Sequence, residues 1–286
     1  MKSILFLSGK GGTGKTSLAG AFAVLANNKV LADCDVDAAN LHLLLAPRVV
    51  DEGIYQGANL AVKDDDACVR CGRCREVCRF HAVSESYEID PYLCEGCGAC
   101  VTACPADAIA LVIQDTGRWF TAESRLGPLA SAELLPGEET SGKLVAQVKQ
   151  KAAELCEAAK AEWLLIDGSP GIGCPVIASA SGVDIVVLVT EPTLSGLHDL
   201  RRILGVVNHF HIPAFLVTNK EDLNPSVAEE IGAYAEKEGL PLLGGIPYDP
   251  KVTEAMVAGR SAVEEAGSPA GVAMREIFAR LMEAIA

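Results

Sequence analysis

Gly9-Lys10-Gly11-Gly12-Thr13-Gly14-Lys15-Thr16 decides how the rest of the chain is read. The stretch fits G-x-x-x-x-G-K-[S/T], and its surroundings have the order that this motif needs. Lys2–Leu7 ahead of it is a short apolar run, and an Ala- and Leu-rich helical pattern follows from Lys15 to about Asn27. A glycine-rich loop between a strand and a helix lets backbone N–H groups close around phosphate oxygens, and the helix N-terminus adds a favourable dipole. Lys15 is expected to reach the β- and γ-phosphates of a nucleotide, and the Thr16 hydroxyl to ligate Mg²⁺. Gly11, Gly12, Thr13, Gly14, Lys15, Thr16 and Ser17 form the expected nucleotide-binding set.

Moving outward, Val30–Asp33 reads as a second short strand and Ala39–Leu45 as a short helix. Arg118–Ser124 and Leu129–Leu135, separated by Gly127-Pro128, suggest a hairpin. Lys143–Ala161 has a helical pattern. Apolar strand candidates then recur at Trp163–Asp167, Asp184–Thr190, Ala214–Thr218 and Leu242–Ile246. Helical stretches at about Pro175–Ser181, Gly196–Phe210 and Pro225–Glu238 separate them. Alternating strands and helices predict an α/β fold, a doubly wound and mostly parallel sheet of about seven or eight strands.

Among 286 residues, half are hydrophobic and 22% charged, so a substantial core can form. The 24 Lys and Arg face 38 Asp and Glu, a net charge of −14. With no basic excess to release counterions, nucleic acid is not an expected partner. No apolar run is long enough to span a bilayer, and Met1-Lys2 leads directly into the first strand rather than a signal peptide. Met274–Ala286 lacks the basic polar face of a membrane-surface helix and reads as a packing helix. A cytoplasmic protein without stable membrane anchoring is expected.

Eight of the eleven cysteines lie between Cys68 and Cys104. Cys68, Cys71, Cys74 and Cys78 are followed by Cys94, Cys97, Cys100 and Cys104, each quartet spaced C-x-x-C-x-x-C-x-x-x-C. Zinc ribbons use two spaced pairs, whereas two quartets are what a bacterial two-cluster ferredoxin needs. Short spacings wrap three thiolates around one iron–sulfur cube, and the fourth thiolate belongs to the other cube. One [4Fe-4S] cluster is therefore expected on Cys68, Cys71, Cys74 and Cys104, and a second on Cys94, Cys97, Cys100 and Cys78. Cys104 precedes Pro105 in the usual way, whereas Cys78 precedes Arg79. Arg70, Arg73, Arg75 and Arg79 crowd the first motif, while Glu88, Asp90, Glu95 and Asp107 surround the second. The expected division is 1–60 and 118–286 for the two parts of a P-loop domain and 61–117 for an inserted ferredoxin domain. Of the remaining cysteines, Cys156 reads as a buried hydrophobe, and Cys34 and Cys174 leave two readings open, a buried hydrophobe or a redox or bridging role.

Lys10 is a second lysine inside the loop, and the Lys-Gly-Gly-x-Gly-Lys-Thr form resembles the deviant Walker A of the MinD/ParA/nitrogenase-iron-protein (SIMIBI-class) P-loop ATPases. Asp33-Cys34-Asp35-Val36-Asp37 resembles switch I, and Leu164-Leu165-Ile166-Asp167-Gly168-Ser169-Pro170-Gly171 resembles Walker B with switch II behind it. The order of ATPase segment, ferredoxin insert and Walker B resembles the subgroup with an inserted two-cluster ferredoxin domain. The Asp167–Pro175 and Thr190–Leu197 segments look like that subgroup in particular. The resemblance implies an ATP-dependent homodimer in which Lys10 crosses to the partner's nucleotide. It also implies that Asp35 orients or deprotonates the attacking water, and that Asp33 and Asp167 support Mg²⁺, both through water. Gly171 would sense the γ-phosphate through its N–H, and Asn219 in Val217-Thr218-Asn219-Lys220 would read adenine. Lys10, Lys15 and Asp35 are thus the expected catalytic residues.

Three functions follow as alternatives: an ATPase that couples ATP binding and hydrolysis to electron transfer toward a redox partner protein, an iron–sulfur or metallocofactor assembly ATPase, and a positioning switch with redox-sensing clusters. Full cysteine ligation of both clusters favours the first, because a scaffold must release its cluster. The acidic charge and the absence of a basic terminal helix weigh against the third.

Overall fold

Four consecutive residues of the first strand, Ile4, Leu5, Phe6 and Leu7, have no exposed surface. Side chains alternate across a strand, so burial of all four requires cover on both faces. The computed structural model, which describes residues 1–136, 138 and 142–286, supplies that cover around a mostly parallel sheet. Its strands among the described residues are β1 (Lys2–Leu7), β2 (Lys29–Asp33), β3 (Arg48–Lys63), β4 (Ile109–Ser124), β5 (Gly127–Leu134), β6 (Trp163–Asp167), β7 (Ile185–Thr190), β8 (Ala214–Asn219) and β9 (Leu242–Ile246). They lie in the order β3-β4-β5-β2-β6-β1-β7-β8-β9. In the register of the central strands, Ile4 lies opposite Leu165 of β6 and Ile185 of β7.

One part of the core joins Phe6 and Ile4 to the helix Lys15–Leu25 and the helix Pro269–Ala284. The Phe6 and Phe22 rings meet edge-on at 5.0 Å, and Phe22 meets Phe278 at 5.1 Å. The C-terminal helix buries Met274, Ile277 and Leu281, which makes it the packing helix read from the sequence. Because β1, β2, β6, β7 and β8 run parallel, their C-terminal ends share one edge of the sheet. That edge is where an open α/β sheet places a ligand.

The strand count of seven or eight is corrected to nine. The unanticipated β3 is an edge strand, mostly exposed, so it carries no apolar run. Arg118–Ser124 is only the end of the sixteen-residue β4. The turn into β5 is Arg125-Leu126, not Gly127-Pro128: the Ser124 hydroxyl donates to the Gly127 carbonyl at 2.6 Å and accepts the Leu126 N–H at 3.2 Å. The helix read at Ala39–Leu45 shrinks to the single turn His42–Leu45, because the Leu41 N–H donates to the Asp33 carboxylate at 3.1 Å.

The chain divides into two units, Met1–Gly53 with Arg118–Ala286, and Ile54–Gly117. Within the second, Gly72 and Gly98 adopt φ of 81° and 77° just before the short helices Arg73–Val77 and Ala99–Ala103. A side chain is disfavoured at such angles, and the same Cys-Gly-x-Cys turn, Cys71–Cys74 and Cys97–Cys100, therefore recurs inside both cysteine motifs.

Candidate functional site

The phosphate loop leaves β1 and re-enters a helix at Lys15, with Gly12 at φ 79° and Gly14 at φ 91°. A Cβ on Gly14 would also collide with the Asn219 side chain. The helix has no side-chain N-cap and no acidic residue in its first turn, which leaves its N-terminal N–H groups for an anion. The Thr13 hydroxyl is buried without a hydrogen-bond partner.

Three carboxylates converge behind the loop from strand ends and the segment after β2. Lys15 Nζ lies 2.7 Å from Asp167 Oδ1 and 3.3 Å from Asp35 Oδ2, with Lys15 and Asp167 both buried. Burial alone would depress the lysine, but the charges of Asp167 and Asp35 hold its pKa above the ordinary value. Burial likewise lifts the Asp35 carboxyl above the usual carboxylate range, against the pull of Lys15. Asp33 accepts N–H groups from Asp35 at 3.2 Å and Leu41 at 3.1 Å, and burial with the adjacent Asp167 charge pushes it up to about 8. Asp37 is exposed, and its charge adds to the rise of the Asp35 carboxyl.

Lys10 makes a 2.6 Å ion pair with Glu191 just past β7. The Gly171 N–H donates to the Ser8 carbonyl at 2.9 Å. Asn219 is buried; its amide donates to the Thr13 carbonyl at 2.8 Å, and its Oδ1 accepts the Lys220 N–H at 3.0 Å. Asn219 thus braces the phosphate loop in this state. The sequence reading assigned nothing to Lys220, whose ammonium lies 3.5 Å from Glu191. Neither Lys220 nor Glu191 carries a motif that marks it in the sequence. The signal for both was position: each follows the end of a strand at the ligand edge.

The cysteines of the unit Ile54–Gly117 sort into two cavities. One is rimmed by Cys68, Cys71, Cys74 and Cys104, and the other by Cys78, Cys94, Cys97 and Cys100. They enclose about 340 and 350 Å³ of space, including their open mouths. Lys63 and Arg70 line the first, whereas Glu95 lines the second. Among the described residues, no three His, Cys, Asp or Glu side chains converge closely enough for a single metal ion. Cys34 is fully buried, and burial together with the Asp33 charge pushes its thiol far above the ordinary range. It packs as a small hydrophobe. Burial likewise raises Cys156 to about 11, while Cys174 is exposed.

The donor sets fit the groups that the motifs imply. Asp167 Oδ2 is buried without a hydrogen-bond partner, and Thr16, Asp33 and Asp167 offer the hard oxygens that Mg²⁺ prefers. Four thiols spread around a cavity suit a multi-iron cube.

Residues 4–262 match the CbiA family, described as the CobQ/CobB/MinD/ParA nucleotide binding domain, and the chain belongs to that family. It is a MinD/ParA-type P-loop ATPase. It is 35% identical to the uncharacterized protein MJ0578 of Methanocaldococcus jannaschii over 99% of this chain and 97% of that one. An iron-sulfur cluster carrier protein of Pyrococcus abyssi is 27% identical over 42% of this chain and 45% of its own. The septum site-determining protein MinD of Pyrococcus horikoshii, solved with Mg-ADP, shares the fold with a TM-score of 0.59 at 18% identity, covering 96% of this chain and 93% of that chain.

Proposed function

We propose that the protein is a dimerising ATPase whose unit Ile54–Gly117 is a two-cluster ferredoxin domain, and that it couples ATP binding and hydrolysis to electron transfer toward a partner protein. The observation that carries this reading is the separation of eight cysteines into two four-sided cavities in a chain that also holds the Lys15–Asp35–Asp167 constellation. Cys68, Cys71, Cys74 and Cys104 would hold one [4Fe-4S] cluster, and Cys94, Cys97, Cys100 and Cys78 the other. Bound there, the clusters supply one-electron chemistry at low potential.

The ATPase residues act in cis and in trans. Lys15 exchanges its carboxylate partners Asp167 and Asp35 for the β- and γ-phosphates, and the released Asp167, with Asp33, would support Mg²⁺ beside the Thr16 hydroxyl. Asp35, with its proton affinity raised by burial, orients the attacking water and takes its proton. The Gly171 N–H leaves the Ser8 carbonyl for the γ-phosphate, and Lys10 crosses to the nucleotide of a second copy.

Anaerobic reconstitution tests the cluster assignment: about eight iron and eight acid-labile sulfide per chain are expected. Tightly bound zinc without charge-transfer absorption would overturn it. Lys10→Ala should lose hydrolysis and ATP-dependent dimerisation while still binding nucleotide; normal turnover by a monomeric Lys10→Ala variant would refute the trans role.

Similarity to the Pyrococcus abyssi iron-sulfur cluster carrier protein favours a second reading, an assembly or carrier ATPase. Incubating the loaded protein with a cluster-free acceptor separates the two readings. Retention of both clusters through ATP turnover supports electron transfer, and their ATP-dependent passage to the acceptor supports the carrier.

A further inference from the structure

Glu191 directly follows β7, and its carboxylate lies between two lysines. Oε1 is 2.6 Å from Lys10 Nζ, and Oε2 is 3.5 Å from Lys220 Nζ. Lys10 also donates to Ser195 Oγ at 3.0 Å and Thr193 Oγ1 at 3.4 Å. Its three ammonium protons therefore have three acceptors on its own chain. Lys220 meanwhile reaches the Gly12 carbonyl at 3.4 Å, which ties the same carboxylate to the phosphate loop.

The turn that presents these acceptors is fixed. Thr193 Oγ1 accepts the Gly196 N–H at 2.9 Å and so caps the helix Leu194–His209. The Thr190 hydroxyl donates to the Gly196 carbonyl at 3.1 Å, and a Cβ on Gly196 would collide with the Glu191 carbonyl. Pro192 restricts the backbone between them. Glu191 is 17% exposed and Lys10 31%, so the pair is partly shielded from water. A lysine so occupied must give up these contacts before it can serve an anion elsewhere.

We infer that Glu191 is a positioning residue that parks Lys10 on its own chain and thereby sets the threshold at which two ATP-bound copies associate. The inference rests on the dimer reading above. Each association breaks the Lys10–Glu191 pair twice, once per copy. Weakening the pair should therefore favour the dimer, by about tenfold for two partly exposed ion pairs.

The test measures dimerisation of the reconstituted full chain by analytical ultracentrifugation, with Mg²⁺ and a non-hydrolysable ATP analogue. Glu191→Gln removes the charge, and Glu191→Asp keeps it but shortens the reach. Both variants are expected to dimerise at about tenfold lower protein concentration than the wild type. If the wild type dimerises and neither variant shifts the midpoint, the parking role is overturned. A shift in Glu191→Gln alone also overturns it, since relief of general charge repulsion would account for that result. A wild type that stays monomeric with the analogue overturns the dimer reading itself, and the parking role falls with it.

Discussion

At the scale of single residues, the site is a set of charges balanced against one another. In the folded chain burial and the Asp167 charge push the Asp33 carboxyl up to about 8, whereas a free aspartate ionises near pH 4. The folded state therefore holds a proton that the unfolded chain releases, and stability falls as pH rises between those two values. Denaturant titrations of the nucleotide-free protein should show this loss between about pH 5 and pH 8, by at least about 1 kcal/mol. Asp33→Asn should flatten the slope over that window. An unchanged slope would mean that Asp33 is ionised in the fold. The roles of Lys15 and Thr16 were legible because their spacing is fixed by phosphate geometry. Glu191 and Lys220 were not, because an ion pair across nearly thirty positions leaves no local pattern (about 29 residues apart).

At the scale of elements, Asp249 joins two helices. Its Oδ1 accepts the Lys251 N–H at 3.0 Å at the start of the helix Lys251–Val257. Its Oδ2 accepts the Ser268 hydroxyl at 2.6 Å and the Ala270 N–H at 3.3 Å, where the helix Pro269–Ala284 begins. Burial opposes ionisation, but these hydrogen bonds hold the Asp249 carboxyl below its ordinary value. A depressed carboxylate stabilises above the unfolded pKa and loses that contribution as pH falls through the folded one. Asp249→Ala should cost about 1 kcal/mol at neutral pH, and the difference from the wild type should shrink below about pH 4. Urea denaturation at both pH values checks this. The strands β1, β2, β6, β7 and β8 were legible because near-complete burial writes them as apolar runs. The sixteen-residue β3 was hidden because most of its residues face water, and tertiary pairing rather than composition makes it a strand.

At the scale of the whole molecule, the chain passes twice between the two units, within β3 and within β4. If nucleotide state alters either strand, the field at the cysteine cavities changes, and the linkage is reciprocal. A coupling of about 1–3 kcal/mol corresponds to a one-electron shift of roughly 40–130 mV. Redox titration followed by EPR, with and without a non-hydrolysable ATP analogue, should reveal a shift of that size. The cavity lined by Lys63 and Arg70 should hold the cluster of higher potential, because cations stabilise the added electron. Equal potentials in all nucleotide states would leave an ATPase and a ferredoxin merely tethered.

Within the unit Ile54–Gly117, the buried cluster of Ala61, Cys74, Val83 and Ile109 includes or packs against five cysteines of the two motifs, Cys74, Cys78, Cys94, Cys100 and Cys104, and Tyr55, Ala82 and Ala108 are buried as well. A segment of about 64 residues with so small a core is in the size range where domains lean on cross-links or metals. If the two cavities hold clusters, this unit should depend on them for its persistence, and cluster loss would then act as a degradation signal. Limited proteolysis of iron-free chain should cut first within residues 54–117, while the rest survives as two fragments held by the sheet. Reconstitution should suppress those cuts, so the cell's iron supply would set how long each copy lives.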